Sequence, residues 1–144
     1  MLGYVAGAML LGAAIGFERE LADKPAGMRT HMLVAGAAAL LVLLGDVLVA
    51  HFGKEFPGGL VRADPTRIIE AIVTAVGFLG AGTIIRHRGT PVRGLTTAAT
   101  VFLTAAVGMC VATKQLVLAV GATLLALATL RLLGTIEKPP KSKP

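Results

Sequence analysis

Residues 77–100 read Gly77-Phe-Leu-Gly-Ala-Gly-Thr-Ile-Ile-Arg-His-Arg-Gly-Thr-Pro-Val-Arg-Gly-Leu-Thr-Thr-Ala-Ala-Thr100. This stretch joins two apolar runs through a short basic turn. The pattern predicts two membrane helices connected on one side of the bilayer. Because lipid tails are as apolar as leucine, such helices associate through close contacts of small residues and through hydroxyl hydrogen bonds. Each predicted helix carries a matching stripe: Gly77, Gly80 and Ala81 on the first, and Thr96, Thr100 and Thr104 on the second. We therefore predict a helix-packing seam here. A nucleotide site is not indicated, since no strand precedes the glycines and no Lys-Ser/Thr follows them.

The composition excludes a soluble globular domain. Of the 144 residues, 55% are hydrophobic and 4% aromatic, which leaves too few polar groups to cover the surface of a soluble protein of this size. The net charge of +6 comes from bases placed between apolar runs, so it indicates a membrane protein and not a nucleic-acid partner. Cys110 stands alone in an apolar run, so it is predicted to be a small core residue without a disulfide or metal partner.

Five apolar runs predict an all-α, compact bundle of five transmembrane helices, since about 20 residues cross the hydrocarbon core. Their approximate bounds are 2–17, 32–50, 68–85, 95–112 and 116–133. Residues 1–137 are therefore predicted to form one transmembrane domain, followed by a disordered basic tail at 138–144. A signal peptide competes for the short first run, but no base precedes it and charged residues follow it. Its glycines at positions 3, 7, 12 and 16 favour either a packed position in the bundle or a dimer contact.

The distribution of bases predicts the orientation of the bundle. Ten of the 14 Lys and Arg residues fall in the loops after the first and third runs or towards the C-terminal end. The remaining bases, on the opposite side, are Lys54, Arg62, Arg67 and Lys114. By the positive-inside rule, the N-terminus lies outside and the C-terminus lies in the cytoplasm. The outer loop ends in Asp64-Pro65, which predicts a helix with Asp64 as its N-cap and Pro65 as its first residue.

Two acidic residues lie in or beside apolar runs at the predicted outer level. Asp46 interrupts the second run, and a central Asp costs about 2.5–3.5 kcal/mol on insertion scales, so it should face the bundle or a partner. Glu70 lies one turn into the next helix, at the same level. The two carboxylates could hold Mg²⁺, although the sequence demands no cofactor. The favoured alternative is that each pairs with Arg67 or extends to the interface.

Charged residues also gather at the predicted cytoplasmic ends of the helices. They are Glu18, Arg19 and Glu20 at the end of the first helix, Lys24 and Arg29 before the second, and Arg86, Arg88 and Arg93 in the basic turn. Pairing among them would lock the inner face, which is the favoured interpretation, while the excess arginines could also meet anionic lipid head groups. His31, His51 and His87 fall in separate loops or helix ends, and no Ser lies beside a base, so the sequence predicts a non-enzyme.

Four motifs, in this order, resemble the hallmarks of the MgtC/SapB family of bacterial inner-membrane proteins. They are Gly16-Phe-Glu-Arg-Glu20, Lys24-Pro-Ala-Gly-Met-Arg-Thr-His31, Gly77-Phe-Leu-Gly-Ala-Gly82 and Gly94-Leu-Thr-Thr-Ala-Ala-Thr100. The resemblance runs from about Gly12 to Gly108. The positions that it marks for interaction are Glu18, Arg19, Glu20, Lys24, Gly27, Arg29, Thr30, Gly77, Gly80, Gly82, Gly94, Thr96, Thr97 and Thr100. Arg93 of the basic turn joins them as a candidate interaction residue.

The resemblance implies a multi-pass inner-membrane protein associated with growth at low Mg²⁺ and, in intracellular pathogens, with survival inside macrophages. It further implies modulation of membrane energetics, including restraint of the F-type ATP synthase through contact in the membrane. Virulence-associated members have Asn and Trp where this chain has Thr96 and Phe102, so the virulence role carries over less securely. Many members also have a cytoplasmic regulatory domain after the fifth helix, where this sequence has only its Pro-rich tail. Regulation through such a domain is therefore not expected.

Two functions remain open at this point. In the first, the glycine and threonine faces bind another membrane protein or a second copy of this chain, and the protein modulates its partner. In the second, Asp46 and Glu70 serve a transporter or channel for Mg²⁺ or another cation. The scarcity of acidic residues in the third and fourth helices and the lack of an inverted repeat favour the first. A third interpretation, a lipid-binding scaffold, is supported only by the loop arginines.

Overall fold

The computed structural model describes residues 1–55, 64–84 and 92–134, which form five α-helices. Their bounds are Leu2–Leu21 for α1, Met28–Glu55 for α2, Pro65–Thr83 for α3, Leu95–Ala112 for α4 and Leu116–Gly134 for α5. The predicted all-helical fold is therefore confirmed. The predicted bases of the turn at 86–88 and the predicted tail at 138–144 lie outside the described residues.

Four of these helices, α2 to α5, are long and apolar enough to cross a membrane. The spans are Met28–Phe52, Thr66–Thr83, Leu95–Ala112 and Leu116–Gly134. Helix α1 is not among them, and its last turns carry three charged residues, Glu18, Arg19 and Glu20. The chain is thus a multi-pass membrane protein, while the side of the membrane on which each terminus lies stays a prediction.

Helices α1 and α2 are longer than the apolar runs that predicted them. Helix α1 continues past Phe17 to Leu21, because Glu and Arg are good helix formers and the charges end the apolar run without ending the helix. Helix α2 begins at Met28 and not at position 32. Its first N–H has a partner in the preceding helix, since the Met28 N–H donates to Glu20 Oε2 at 2.9 Å.

Helices α1, α2 and α4 pack together at the centre of the bundle. Helix α3 packs against α2 and α4, and α5 packs against α1 and α4. The burial of the spans differs accordingly, since 50% of the α4 span is buried but only 17% of the spans of α3 and α5. The bundle therefore has a small central core and two peripheral helices that expose most of their surface.

Glycines allow the central helices to approach one another closely. A Cβ atom added to Gly108 of α4 would overlap the Ala35 carbonyl oxygen of α2. A Cβ atom on Gly16 of α1 would lie 2.6 Å from Met28 Cα, and one on Gly12 would lie 2.5 Å from the His31 carbonyl oxygen. Of the two interpretations of the α1 glycines, the packed position is therefore confirmed at Gly12 and Gly16.

The predicted seam between α3 and α4 is only partly correct. Gly80 does face α4, since a Cβ atom added there would lie 3.4 Å from Ala98 Cβ, whereas one on Gly77 would meet nothing within 4 Å. The inward stripe of α3 is Ile72, Val76 and Gly80, so its helical period turns Gly77 and Ala81 to the outside. On α4, Thr96 is exposed, and the buried threonines are Thr97, Thr100 and Thr104.

The predicted start of α3 is confirmed. Pro65 is the first helical residue, and the Asp64 side chain accepts hydrogen bonds at Oδ1 from the Thr66 hydroxyl at 2.6 Å and from the Thr66 N–H at 2.9 Å. Both hydrogen bonds stabilise the ionised carboxylate, and the bond from the hydroxyl has the larger effect. They therefore lower the pKa of Asp64 below its ordinary value. Asp64 therefore acts as a charged N-cap.

We expect the α3 cap to weaken in acid. A carboxyl whose pKa is lowered on folding contributes its full stability above its unfolded pKa, about 3.9, and loses it as the pH falls through the lower folded value. An NMR titration of the Thr66 amide should therefore show a transition below that pH. Asp64→Asn keeps a capping oxygen and should remove the transition. A transition that survives in Asp64→Asn would assign it to another group.

Candidate functional site

A cluster of polar side chains lies buried where α1 ends and α2 and α4 begin. We call this the buried polar cluster, and its members are Glu18, Arg19, His31, Thr97 and Thr100. Their exposed fractions are 9%, 4%, 0%, 2% and 5%. Charged residues are almost never this buried unless they are paired. The cluster is therefore the part of the described chain whose chemistry most needs an explanation.

Glu18 and Arg19 form an ion pair inside this cluster. Arg19 Nη1 lies 3.6 Å from Glu18 Oε2, a contact longer than an ordinary hydrogen bond. Glu18 Oε2 and Arg19 Nε are buried and have no hydrogen-bond partner among the described residues. Each charge therefore depends on the other, because burial removes the water that would otherwise solvate it.

His31 connects α2 to α4. Its Nδ1 lies 2.9 Å from the Gly27 carbonyl oxygen, which only accepts, so Nδ1 must carry a proton and donate. Its Nε2 lies 3.2 Å from Thr100 Oγ1, which also lies 2.9 Å from the Thr97 carbonyl oxygen. In the neutral ring, Nε2 accepts from the Thr100 hydroxyl. In the charged ring, Nε2–H donates, and the hydroxyl proton turns to Thr97.

Glu20 and Gly27 shape the turn between α1 and α2. The Glu20 carboxylate accepts from the Met28 N–H, and a Cβ atom on Gly27 would lie 2.9 Å from Glu20 Oε2. Glycine at position 27 therefore lets the carboxylate reach the start of α2. The same turn brings the Gly27 carbonyl oxygen to His31.

Gly94 fixes the junction of α3 and α4. It is the N-cap residue of α4 and has φ 91°, in the left-handed region that favours glycine. A Cβ atom there would overlap the Thr83 carbonyl oxygen. Any other residue would therefore displace the end of α3 from the start of α4.

The structure brings together only some of the residues predicted for the site. Glu18, Arg19, Thr97 and Thr100 share the buried polar cluster, and Glu20 and Gly27 form the adjoining turn. The remaining polar candidates are exposed: Lys24, Arg29, Thr30, Arg93 and Thr96. Two glycine candidates, Gly77 and Gly82, have open space where a side chain would be.

The carboxylates proposed to hold a cation lie on the surface of the described structure. Asp46 and Glu70 are both exposed, and neither carboxylate has a hydrogen bond or ion pair with a described residue. They lie at a similar level, because the neighbouring Gly45 contacts Ile68. Within the described ranges, no group of three or more His, Cys, Asp or Glu side chains could share a metal ion.

His31 is the site residue that sequence reasoning missed. It was grouped with His51 and His87 as an isolated histidine, yet it lies at the centre of the cluster. A signal was present in the chain, because His31 falls in the first turn of an apolar helix, four residues after a glycine. That spacing places its ring against the Gly27 carbonyl.

Comparisons with known proteins agree with the motifs. The sequence profile of the MgtC family matches residues 5–139. Protein MgtC of Brucella abortus is 44% identical over 105 residues, 73% of this chain and 39% of that protein. Protein SapB of Bacillus subtilis is 36% identical over 102 residues, 71% of this chain and 43% of that protein. The putative magnesium transporter YhiD of Escherichia coli K12 is 43% identical over 96 residues, 67% of this chain and 43% of that protein.

The extent of these matches defines what they establish. The chain spans about half the length, or less, of the curated relatives it matches. No solved structure matches the chain. The family profile, in contrast, covers α2 to α5 completely and all but the first residues of α1. The chain belongs to the MgtC family.

Proposed function

We propose that this chain is a bacterial inner-membrane protein of low-magnesium adaptation and intracellular survival that binds a membrane partner and modulates it. The candidate partner is the F-type ATP synthase. Membership of the MgtC family supports the link to magnesium, and the resemblance described above supports the partner. In this proposal the N-terminus lies outside the cell and the protein catalyses no reaction of its own.

The observation that carries the proposal is the open face of α3. Glu70, Thr74, Gly77 and Ala81 follow one another at helical spacing and are all exposed, and we call them the α3 outer face. A Cβ atom on Gly77 would meet nothing within 4 Å. Small residues four apart on a membrane helix allow another helix to approach its backbone closely. The α3 outer face therefore suits a partner helix.

The rest of the bundle suits the task of holding that face in place. Gly94 couples the end of α3 to the start of α4, where a side chain would overlap the Thr83 carbonyl. Helix α4 is in turn bound to α2 through Thr100 and His31. A partner that moves α3 would therefore also move the start of α4. This movement would in turn change the contact between Thr100 and His31 in the buried polar cluster.

We expect Gly77→Leu to abolish capture of the partner. A Cβ atom at this position meets nothing within 4 Å, so loss of capture would reflect the contact with the partner. Gly121→Leu is the matched control, because Gly121 is in α5 and a Cβ atom there also meets nothing within 4 Å. The measurement is cross-linking in native membranes followed by identification of the bound protein.

Each outcome of this experiment has a defined meaning. Equal loss in both variants would contradict the assignment of the α3 outer face. Capture of a second copy of this chain, lost only in Gly77→Leu, would make the face a dimer contact. Capture of an F-type ATP synthase subunit would be followed by ATP-driven proton uptake in inverted vesicles, which the wild-type chain should reduce and Gly77→Leu should not.

The alternative function is transport of Mg²⁺ or another cation. The printed name of the Escherichia coli relative, putative magnesium transporter, favours it, and so does the exposed carboxylate of Asp46 within a membrane span. Sealed proteoliposomes that contain only this chain distinguish the two functions. Cation flux that Asp46→Asn abolishes would establish transport, whereas correctly inserted protein without flux would support modulation.

A further inference from the structure

An apolar groove of about 280 Å³ runs between α2 and α3. Its lining is aliphatic and includes Leu33, Ala37 and Leu41 of α2, and Ile72, Ala75 and Leu79 of α3. The buried residues of the lining are Ala38, Ile72 and Val76, and the leucines at its rim are exposed, by 65% at Leu33 and 53% at Leu79. The groove lies within two membrane spans, so it opens towards lipid.

The length of the groove suits an acyl chain. From Leu33 to Leu41 it extends for about 12 Å, at about 1.5 Å per residue, which is most of one leaflet of a hydrocarbon core about 30 Å thick. An acyl chain runs along a leaflet over a similar length, so a single extended hydrocarbon chain can lie in the slot between the two helices.

A cationic side chain and a hydroxyl side chain lie at one end of the groove. Arg29 lies one helical turn before Leu33, and Thr30 lies one turn before Val34, which also lines the groove. Both Arg29 and Thr30 are exposed, and neither is used by the buried polar cluster. Because helical side chains tilt towards the N-terminus of their helix, these two point away from the hydrocarbon core and towards the head-group layer.

We propose that the α2–α3 groove binds one anionic phospholipid, with an acyl chain between the helices and its phosphate at Arg29 and Thr30. The guanidinium group forms paired, charge-assisted hydrogen bonds with phosphate oxygens. The aliphatic walls supply the remaining contact area. This site is separate from the α3 outer face, since the groove uses the side of α3 that turns towards α2.

Native mass spectrometry of the purified full chain, titrated with phosphatidylglycerol or phosphatidylcholine, tests the proposal. We expect one tightly retained phosphatidylglycerol per chain and weaker retention of phosphatidylcholine. Arg29→Gln should weaken phosphatidylglycerol binding by about fivefold, the effect of one base at an anionic surface. Lys24→Gln is the matched control, because Lys24 is exposed in the turn before α2 but does not precede the groove, and it should leave binding unchanged.

A second pair of variants tests the acyl-chain slot. Ala37→Leu narrows the groove and should displace the lipid, whereas Ala128→Leu adds the same volume on the exposed surface of α5 and should not. Equal effects of Arg29→Gln and Lys24→Gln, equal retention of both lipids, or binding that Ala37→Leu leaves intact would overturn the proposal. So would a lipid-free dimer that Ala37→Leu dissociates, since a second copy of the chain would then occupy the groove.

Discussion

Replacement of Gly108 by alanine is expected to destabilise the bundle by about 1–3 kcal/mol, the usual cost of overpacking a closely packed core. The added methyl group would overlap the Ala35 carbonyl oxygen and lie 3.0 Å from Ala35 Cα. These are backbone atoms, which cannot rotate away as a side chain can. Relief requires that α4 move away from α2, and this movement would also lengthen the hydrogen bond between His31 and Thr100.

The matched control for this variant is Gly121→Ala. A Cβ atom on Gly121 meets nothing within 4 Å, so alanine should be neutral or should stabilise α5 by up to about 1 kcal/mol through its higher helix propensity. Reversible unfolding in mixed micelles, followed by circular dichroism, measures both variants against the wild-type chain. If Gly108→Ala is as stable as Gly121→Ala, α2 and α4 do not approach one another as closely as described.

The five helices were predictable because hydrophobic runs of membrane length are a strong signal. The ends of α1 and α2 were less predictable, since the apolar run ends at Phe17 but the helix continues through Glu18, Arg19 and Glu20 to Leu21. Hydropathy records transfer into lipid, whereas helix formation depends on backbone hydrogen bonds. Charged residues can therefore lower the hydropathy of a segment without interrupting its helix.

The packing of the helices was only partly predictable for a different reason. Helical spacing grouped Gly77, Gly80 and Ala81 on one face of α3, but only Gly80 faces the bundle, because spacing does not indicate which side of a helix packs inward. The structure places Gly80 against Ala98, whereas a Cβ atom on Gly77 would meet nothing within 4 Å. On α4, the predicted Thr100 and Thr104 are buried, but the first threonine of the stripe is Thr97 and not Thr96. The choice between such faces depends on contacts with distant parts of the chain.

The candidate site shows the same limit. Glu18 and Arg19 were predictable because charges gather at the end of the first helix within a family motif, whereas a single histidine near a helix end gives no such signal. His31 becomes informative only when Gly27 and Thr100 are placed on either side of its ring. Thr100 is 69 residues away along the chain, so no local pattern connects the two.

Replacement of Arg19 by methionine is expected to cost about 3–5 kcal/mol, the cost of leaving one charge of a buried pair uncompensated. Methionine keeps much of the length of the side chain and removes the guanidinium group. Glu18, which is 9% exposed, would then have no ion-pair partner among the described residues. Lys24→Met removes an exposed base of the neighbouring turn and should change stability by at most about 0.5 kcal/mol.

The double variant Glu18→Leu with Arg19→Met distinguishes the cost of losing the whole ion pair from the cost of leaving one buried charge without its partner. Because hydrophobic residues of similar volume can replace a buried ion pair at little cost, the double variant should be more stable than Arg19→Met alone. The double-mutant cycle, measured by the same micellar unfolding, would then show a large coupling energy between positions 18 and 19. Simple addition of the two single effects would mean that the charges are solvated independently, and the buried polar cluster would lose its electrostatic basis. A large coupling would instead show that each buried charge of the pair depends on the other.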